Sequence, residues 1–572
     1  MTSSRYLLVI FALCAPPLAA RDAGVPNIVV ILTDDQGYAD LSFNPRHPPE
    51  VATPHMDALA REGVFFTQAY TSGSVCSPTR AGLMLGRYQQ RVGVYTAGDG
   101  GRGFDPRIRI FPTFLPGSYR STAIGKWHLG LDNDYPRLAY HAMSRGFSEC
   151  FKFMGRGGHD YFTSGGVKSQ DPQPIYRGKT RTEHQGYLTD VLSREAVEFI
   201  DRNKDRPFLL YLAYNAVHAP KQAPKETIAK YRKRFPDLSS DRQILMAMLE
   251  HLDRGIGEVI EKLKKERCFD NTLLFFLTDN GGAKGMSADN TPLRGYKGSL
   301  YEGGVRTPFV VSWPRRFEGG RRIDAPVISL DILPTVLDAI GAESKPAIGA
   351  GPEFDGKSLL PLLDGETTRH HERLFWSEGG LTGEWAVREG DWKLRADKEK
   401  RELFHLGRDE SETRDVSGEN PNVVKRLEKL YAAWLAPMPN PIGASDKHWS
   451  GGEGTKKKRK AKDKDAKRRR REERRKKKRS AGTASASSGV REMPSASVVR
   501  AATDAAAPLE QEIPAAPPRR PNVLFVVCDD LNRHVSTSGY PYIKTPALDA
   551  LAGEIRETSD RGEIDCASRR PE

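Results

Sequence analysis

Short apolar runs that stop abruptly at polar residues organise the chain. Residues 26–33, Pro-Asn-Ile-Val-Val-Ile-Leu-Thr, are continuous and β-branched, the pattern of a strand buried on both faces of a parallel sheet. The run at 273–278 repeats that pattern, and 121–124 and 208–214 also read as strands. Between them lie segments of helical period. Thr53 and Pro54 suit the N-cap and first position of one helix, Met56, Leu59 and Ala60 form its apolar face, and Gly63 closes it. Strands alternating with amphipathic helices predict an α/β fold, a mostly parallel sheet flanked by helices. Further along, 385–388, 392–395 and 402–406 read as short strands, followed by a helix over 421–435.

The polar residues at the ends of these runs carry the chemistry. The first run ends in Asp34-Asp35-Gln36-Gly37, and the run at 273–278 ends in Asp279-Asn280-Gly281-Gly282. Ligands collect beyond the carboxyl ends of strands in open α/β sheets, so these two acidic ends can meet there. Either pair alone also suits a turn or a helix cap. Together they form an all-oxygen donor set, which favours calcium or magnesium over zinc. In Cys76-Ser77-Pro78-Thr79-Arg80, Pro78 suits a first helical position and the residues from Ala81 to Tyr88 read as helix. Cys76 is thereby expected at a helix N-terminus, where anions and low-pKa thiols are stabilised. The competing reading of a lone cysteine is a small buried hydrophobe.

Extended through Ala81-Gly82-Leu83-Met84-Leu85-Gly86-Arg87, this segment resembles the sulfatase signature. The resemblance covers roughly 25–437. It implies an alkaline-phosphatase-like fold whose smaller antiparallel subdomain, 374–440, comes after a catalytic domain at 25–373. It also implies that a formylglycine-generating enzyme oxidises Cys76 to formylglycine, whose aldehyde takes up water. The need is chemical. A simple serine or cysteine would be left sulfated, whereas one hydroxyl of the hydrate can attack and the other can expel sulfate.

The same resemblance implies the remaining roles. Asp34, Asp35, Asp279, Asn280 and the modified Cys76 would hold calcium, in preference to magnesium, and Arg80 would orient the modified side chain. Gly125-Lys126-Trp127-His128 resembles the family's Gly-Lys-Trp-His segment, so Lys126 would hold sulfate and His128 would touch the formylglycine hydroxyls. His218, in Val217-His218-Ala219-Pro220, would be the general acid at the leaving oxygen. Lys297, within Arg294-Gly295-Tyr296-Lys297-Gly298, resembles the last sulfate-binding lysine, and His159 and Asp160 lie in a loop similar to one in sulfatases acting on aryl sulfates and amino sugars. Taken singly, each has a plainer reading: a lysine in a Gly-rich loop is ordinarily solvated, and a histidine after a strand is often only hydrogen-bonded.

Charge is concentrated in one place. The net charge is +14 over 572 residues, and 456–479 alone holds 18 Lys/Arg and four Asp/Glu, a net of +14, so the rest of the chain sums to zero. Residues 1–20 read as a secretory signal peptide, Arg5 followed by an apolar run and small residues. Export (periplasmic, extracellular or lysosomal) removes nuclear and cytosolic nucleic acid as partners of the basic run. A solvated linker then fits it, with a polyanionic glycan as a candidate partner. No later apolar stretch is long enough to span a bilayer. Of the cysteines in 25–437 other than Cys76, only Cys150 and Cys268 could pair.

The span 450–520 reads as a basic, then Ala/Ser/Pro-rich disordered linker. Beyond it, 521–530 repeats 26–35 and 545–552 repeats 53–60. This 521–572 segment resembles a truncated second sulfatase opening, similar to iduronate-2-sulfatase relatives, too short to bury a core of its own. The expected activity is hydrolysis of a sulfate monoester on a carbohydrate or aryl sulfate. The alternatives are a phosphonate monoester or phosphodiester hydrolase of the same superfamily, and a non-catalytic glycan-binding homologue whose Cys76 stays unmodified.

Overall fold

The computed structural model describes residues 24–130, 138–154, 158–164, 173–342, 354–378 and 383–445. The expected signal peptide, the 450–520 linker with its basic run, and the 521–572 repeat lie outside the described residues. In chain order the strands are β1 (Asn27–Thr33), β2 (Val64–Phe66), β3 (Ala69–Tyr70), β4 (Arg120–Lys126), β5 (Glu149–Phe153), β6 (Ile175–Arg177), β7 (Thr180–Thr182), β8 (Phe208–Ala213), β9 (Thr272–Thr278), β10 (Phe309–Ser312), β11 (Arg321–Ile323), β12 (Val327–Ile328), β13 (Arg373–Ser377), β14 (Trp385–Glu389), β15 (Trp392–Ala396) and β16 (Arg401–His405).

Ten of them form one sheet in the order β11-β2-β10-β9-β1-β8-β4-β5-β6-β7. Its centre is parallel: β1 runs alongside β8 and β9, and β4 alongside β8 and β5. Antiparallel pairs enter toward the flanks, at β10 with β9 and β5 with β6. Strand β1 shows why the run at 26–33 had to be apolar throughout. Val29 and Ile31 enter one core with helices Pro54–Glu62, Leu188–Asn203 and Ser240–Lys265, while Ile28, Val30 and Leu32 enter the opposite core with helices Cys76–Leu85 and Ile332–Ala339. Successive side chains point to opposite faces, so covering both faces requires every position to be apolar.

Helix Pro54–Glu62 starts and ends as expected, with Met56, Leu59 and Ala60 buried. Thr53 precedes it without a side-chain cap, because its hydroxyl donates to Asp57 at 2.9 Å and accepts from the Ser42 backbone at 2.8 Å. The smaller sheet is antiparallel, in the order β13-β14-β15-β16, and helix Pro421–Leu435 packs its Leu427 and Tyr431 onto it. Its first strand, β13, is not visible in the sequence pattern. Cys150 and Cys268 do not pair with each other: Cys150 Sγ donates to the Gly178 carbonyl, and Cys268 Sγ lies against the Lys204 and Glu266 carbonyls. Among the described residues no helix is long and apolar enough to cross a membrane.

Candidate active site

Parallel alignment of β1 and β9 places both acidic ends side by side, Thr33 facing Thr278. Asp34, Asp35, Asp279 and Asn280 are all buried there. Asn280 Nδ2 donates to Asp35 Oδ1 at 2.7 Å, joining the two ends directly. Asp35 takes a left-handed backbone, φ 61°, as does His128 at φ 54°. Such conformations cost a non-glycine residue about 1–3 kcal/mol and persist where the surroundings impose them, commonly at functional sites.

Cys76 opens the helix Cys76–Leu85, as expected, but Pro78 is its third residue and the helix stops at Leu85 short of Tyr88. Gly86, at φ 61°, ends it by turning left-handed and bonding back to the Gly82 carbonyl. Every residue of this helix is buried. One turn after Cys76, Arg80 grips Asp279 Oδ2 through Nε at 2.9 Å and Nη2 at 2.7 Å, and its Nη1 donates to the Lys126 carbonyl at 2.8 Å. The guanidinium therefore ties together the ends of β9 and β4 and the cysteine helix.

Lys126 closes β4 and its Nζ pairs with Asp34 Oδ2. A Cβ on Gly125, at φ 95°, would lie 1.9 Å from the Ala213 carbonyl, so glycine there lets β4 approach β8 just before the lysine. Lys297 Nζ donates to Asp35 Oδ1 at 2.6 Å, and His218 Nε2 stands 3.7 Å from Asp35 Oδ2. His218 Nδ1 lies 2.9 Å from the Ala219 carbonyl, which leaves Nε2 facing the cluster.

Burial pushes Asp34 up, but Lys126, His218 and Arg80 outweigh it and hold its carboxyl well below the usual range. Burial and the neighbouring Asp34 push Asp279 the other way, above the usual range, despite Arg80 and Lys126. Burial and the adjacent Lys126 keep the His128 imidazole neutral. Burial would raise the Cys76 thiol, yet Lys126 and Lys297 bring it below its ordinary value. Three buried oxygens here, Asp34 Oδ1, Asp279 Oδ1 and Asn280 Oδ1, have no hydrogen-bond partner among the described residues. Unpartnered hard oxygens beside fixed charges fit a hard divalent cation, and ligand atoms of Asp34, Asp35 and His218 lie within 4.8 Å of one another there.

The structure thus brings together Cys76, Arg80, Asp34, Asp35, Asp279, Asn280, Lys126, His128, His218 and Lys297. His159 and Asp160 take a different position. Both His159 ring nitrogens face backbone carbonyls, of Asp160 at 2.6 Å and Gln173 at 3.0 Å. Asp160 accepts from the backbone of Phe162 and Thr163 and from Gln222. Their neighbour Tyr161 donates toward the carbonyls of Asn215 and His218, so this loop braces the His218 turn. One acidic neighbour of the site escaped sequence reasoning. Glu378, just beyond β13, accepts from the Ser74 backbone, and burial, reinforced by Glu384 and Cys76, pushes its carboxyl up to about 7. No local pattern links Glu378 to Ser74, because only the packing of the two sheets does.

Compared with known proteins, the chain matches a family model described as Sulfatase over residues 26–342, and one described as N-sulphoglucosamine sulphohydrolase, C-terminal, over 296–433. It is 33% identical over 403 residues to the uncharacterized sulfatase YdeN of Escherichia coli (strain K12), covering 63% of this chain and 70% of that protein. It is 30% identical over 462 residues to N-acetylgalactosamine-6-sulfatase of Canis lupus familiaris, covering 75% of this chain and 83% of that one. Among solved structures, Ps i-CgsB in complex with k-i-k-neocarrahexaose superposes with a TM-score of 0.66 at 34% identity, covering 73% of this chain and 94% of the other.

Proposed function

The chain belongs to the sulfatase family, and we propose that it hydrolyses a sulfate monoester of a carbohydrate at the strand-end cluster around Cys76, releasing an alcohol and sulfate. Its fold is the alkaline-phosphatase-like arrangement expected from the sequence. The observation that carries the reading is the set of three unpartnered buried oxygens facing Lys126, Lys297 and Arg80 beside a cysteine at a helix N-terminus.

Asp34, Asp35, Asp279 and Asn280, with the modified Cys76, would hold calcium, which supplies positive charge for the sulfuryl oxygens. Cys76, converted to formylglycine during maturation, would supply a hydrate hydroxyl as nucleophile. The other residues bind, orient and move protons. Lys126 and Lys297 pair with different carboxylates of the cluster, Asp34 and Asp35, and would both donate to the sulfate oxygens. His128 is neutral and buried, fit to exchange hydrogen bonds with the hydroxyls rather than to add charge. His218 faces the cluster through Nε2 and protonates the leaving alcohol oxygen from there. Arg80 acts through others, fixing Asp279 and the end of β4.

Counted as fully ionised, the three carboxylates and three cations cancel, so a bound divalent cation makes the cluster positive toward a sulfate ester. The carbohydrate assignment rests on the relatives, an N-acetylgalactosamine-6-sulfatase and a structure holding a neocarrahexaose. The leader-like residues 1–20 support export, to a compartment reached after the formylglycine-generating enzyme has acted. The test is sulfate release from sulfated oligosaccharides and an aryl sulfate, beside alcohol or phenol release from a phosphonate monoester. Turnover of sulfate esters well above the phosphonate is expected. Faster phosphonate turnover would overturn the assignment.

A further inference from the structure

Beneath the helix that carries Cys76 lies a second convergence of ligating groups, with a different donor chemistry. The short turn Ser329–Asp331 packs under that helix: Ser329 Oγ accepts from the Ser72 backbone at 3.3 Å, and a Cβ on Gly82 would lie 2.9 Å from Leu330. Asp331, fully buried, lies against His370 and His371, the residues that lead into β13. Its Oδ1 stands 2.7 Å from His371 Nε2 and its Oδ2 stands 3.2 Å from His370 Nε2. The three ligand atoms all lie within 4.8 Å of one another.

Two features set this cluster apart from an ordinary Asp–His brace. First, His370 Nε2 is buried 3.2 Å from Asp331 Oδ2 yet makes no hydrogen bond of regular geometry among the described residues. The two imidazole side chains are only 4% and 6% exposed and their rings stand nearly perpendicular, at 84°. Second, the carboxylate is already held from behind. Ile328 N donates to Oδ2 at 2.9 Å and Lys357 N donates to Oδ1 at 2.8 Å. Outer hydrogen bonds of this kind orient carboxylates that ligate metals. Both histidines, though not Asp331, also line a cavity of about 940 Å³, which brings water to the edge of the cluster.

We propose that Asp331, His370 and His371 form a second metal site, selective for zinc or a similar nitrogen-preferring divalent cation, separate from the all-oxygen site at the strand ends. Two imidazole nitrogens and one carboxylate match the ligands of zinc and its neighbours and are poor for calcium. The ion ties the turn beneath the Cys76 helix to the segment entering the smaller sheet, so its role is to brace the catalytic helix from below. The site does not depend on the reaction assigned to Cys76, and its test does not read turnover.

The untagged full-length chain, saturated with calcium, is titrated with cobalt(II) and then with zinc. One equivalent of cobalt is expected to bind with the visible ligand-field bands of a low-coordinate nitrogen-containing site, and zinc should displace it and raise the thermal midpoint. The bands and the zinc-induced shift should be lost in His370→Ala/His371→Ala and retained in Asp279→Ala. Should the double variant not fold, His370→Gln provides the same comparison with the Asp331–His371 bond intact, and at least about a tenfold loss of cobalt affinity is expected. Absence of bands in the wild type, or bands unchanged by the histidine substitutions, overturns the proposal.

Discussion

Two clusters of buried charge sit on either side of the Gly-rich segment that carries Lys297, and they resolve their charges in opposite ways. Between the sheets, Lys393 Nζ pairs with Glu302 at 2.7 Å and Glu412 at 3.0 Å, all three fully buried. Tyr70 donates to the second Glu302 oxygen at 2.7 Å, and the Glu302 backbone donates to Glu412 at 2.6 Å. At the strand ends the same ingredients leave Asp34 Oδ1, Asp279 Oδ1 and Asn280 Oδ1 without hydrogen-bond partners, whereas between the sheets the one Glu oxygen that makes no hydrogen bond, Glu412 Oε1, still lies 3.0 Å from Lys393 Nζ. A cluster whose members spend their bonding on one another holds elements together. One that keeps oxygens unused has been shaped around something it must receive.

Substitution of the nucleophile should separate the two clusters most strongly. Cys76→Ala should fold normally, with an unchanged thermal midpoint within a few degrees, yet lose multiple-turnover activity on an aryl sulfate by roughly 10⁴-fold or more. Residual turnover near the wild-type rate would remove Cys76 from the chemistry. Next in size is the exchange between clusters. Asp279→Asn, whose amide oxygen can still accept from the buried Arg80 guanidinium, should lose its bound metal and about 10²–10⁴-fold in activity, at a smaller cost in stability than loss of the whole side chain. Lys393→Met should do the reverse, leaving two carboxylates buried without their cation at a cost of about 3–5 kcal/mol, while the folded fraction keeps its turnover. Metal analysis, denaturant melts and kinetics on both variants decide it. A Lys393→Met enzyme that is stable but inactive would show that the two clusters had been assigned the wrong way round.

Smaller effects divide the roles within the strand-end cluster. His218→Ala should slow a sugar sulfate by about 10²–10⁴-fold and an activated aryl sulfate far less, because a phenolate leaves without a proton while an alkoxide needs one. Equal losses on the two substrates would assign His218 to holding sulfate. Least of all should change when the chain is ended at residue 450, which removes the basic run and leaves every strand-end residue in place. Its kcat on a small aryl sulfate should match the full chain. Binding to a sulfated polysaccharide should weaken, and that difference should shrink as salt rises. Identical polymer binding at low salt would leave 456–479 as a linker.

Much of the strand-end cluster was legible in the sequence because each part sits at the end of an apolar run, and the rule that such ends gather on one edge of a parallel sheet brings them together. The paired acids after β1 and β9 are readable on that ground, whereas Lys126 at the end of β4 is singled out only through its resemblance to the Gly-Lys-Trp-His segment. The helix Pro421–Leu435 was equally plain from its proline start and period. What the sequence pattern hid is non-local. Arg80 reads as part of a cysteine motif, yet its bonds run to Asp279 and to the Lys126 carbonyl, 199 and 46 residues away. Strand β13 puts three apolar residues in succession, Leu374 to Trp376, so its alternating burial shows only once it pairs with β14. Pro78 suits a first helical position equally well as a third, since neither needs its missing N–H, so composition could not fix the helix start. His370 and His371 stand in a polar stretch where nothing local points to Asp331.

Whether Cys76 supplies the nucleophile is decided by the intact mass of the peptide that contains it, taken from the same preparation whose sulfate release has been measured. Active protein should carry the aldehyde of formylglycine at Cys76 in place of the thiol, and activity should scale with the converted fraction across preparations. A fully active preparation in which Cys76 is wholly unmodified would contradict the assignment.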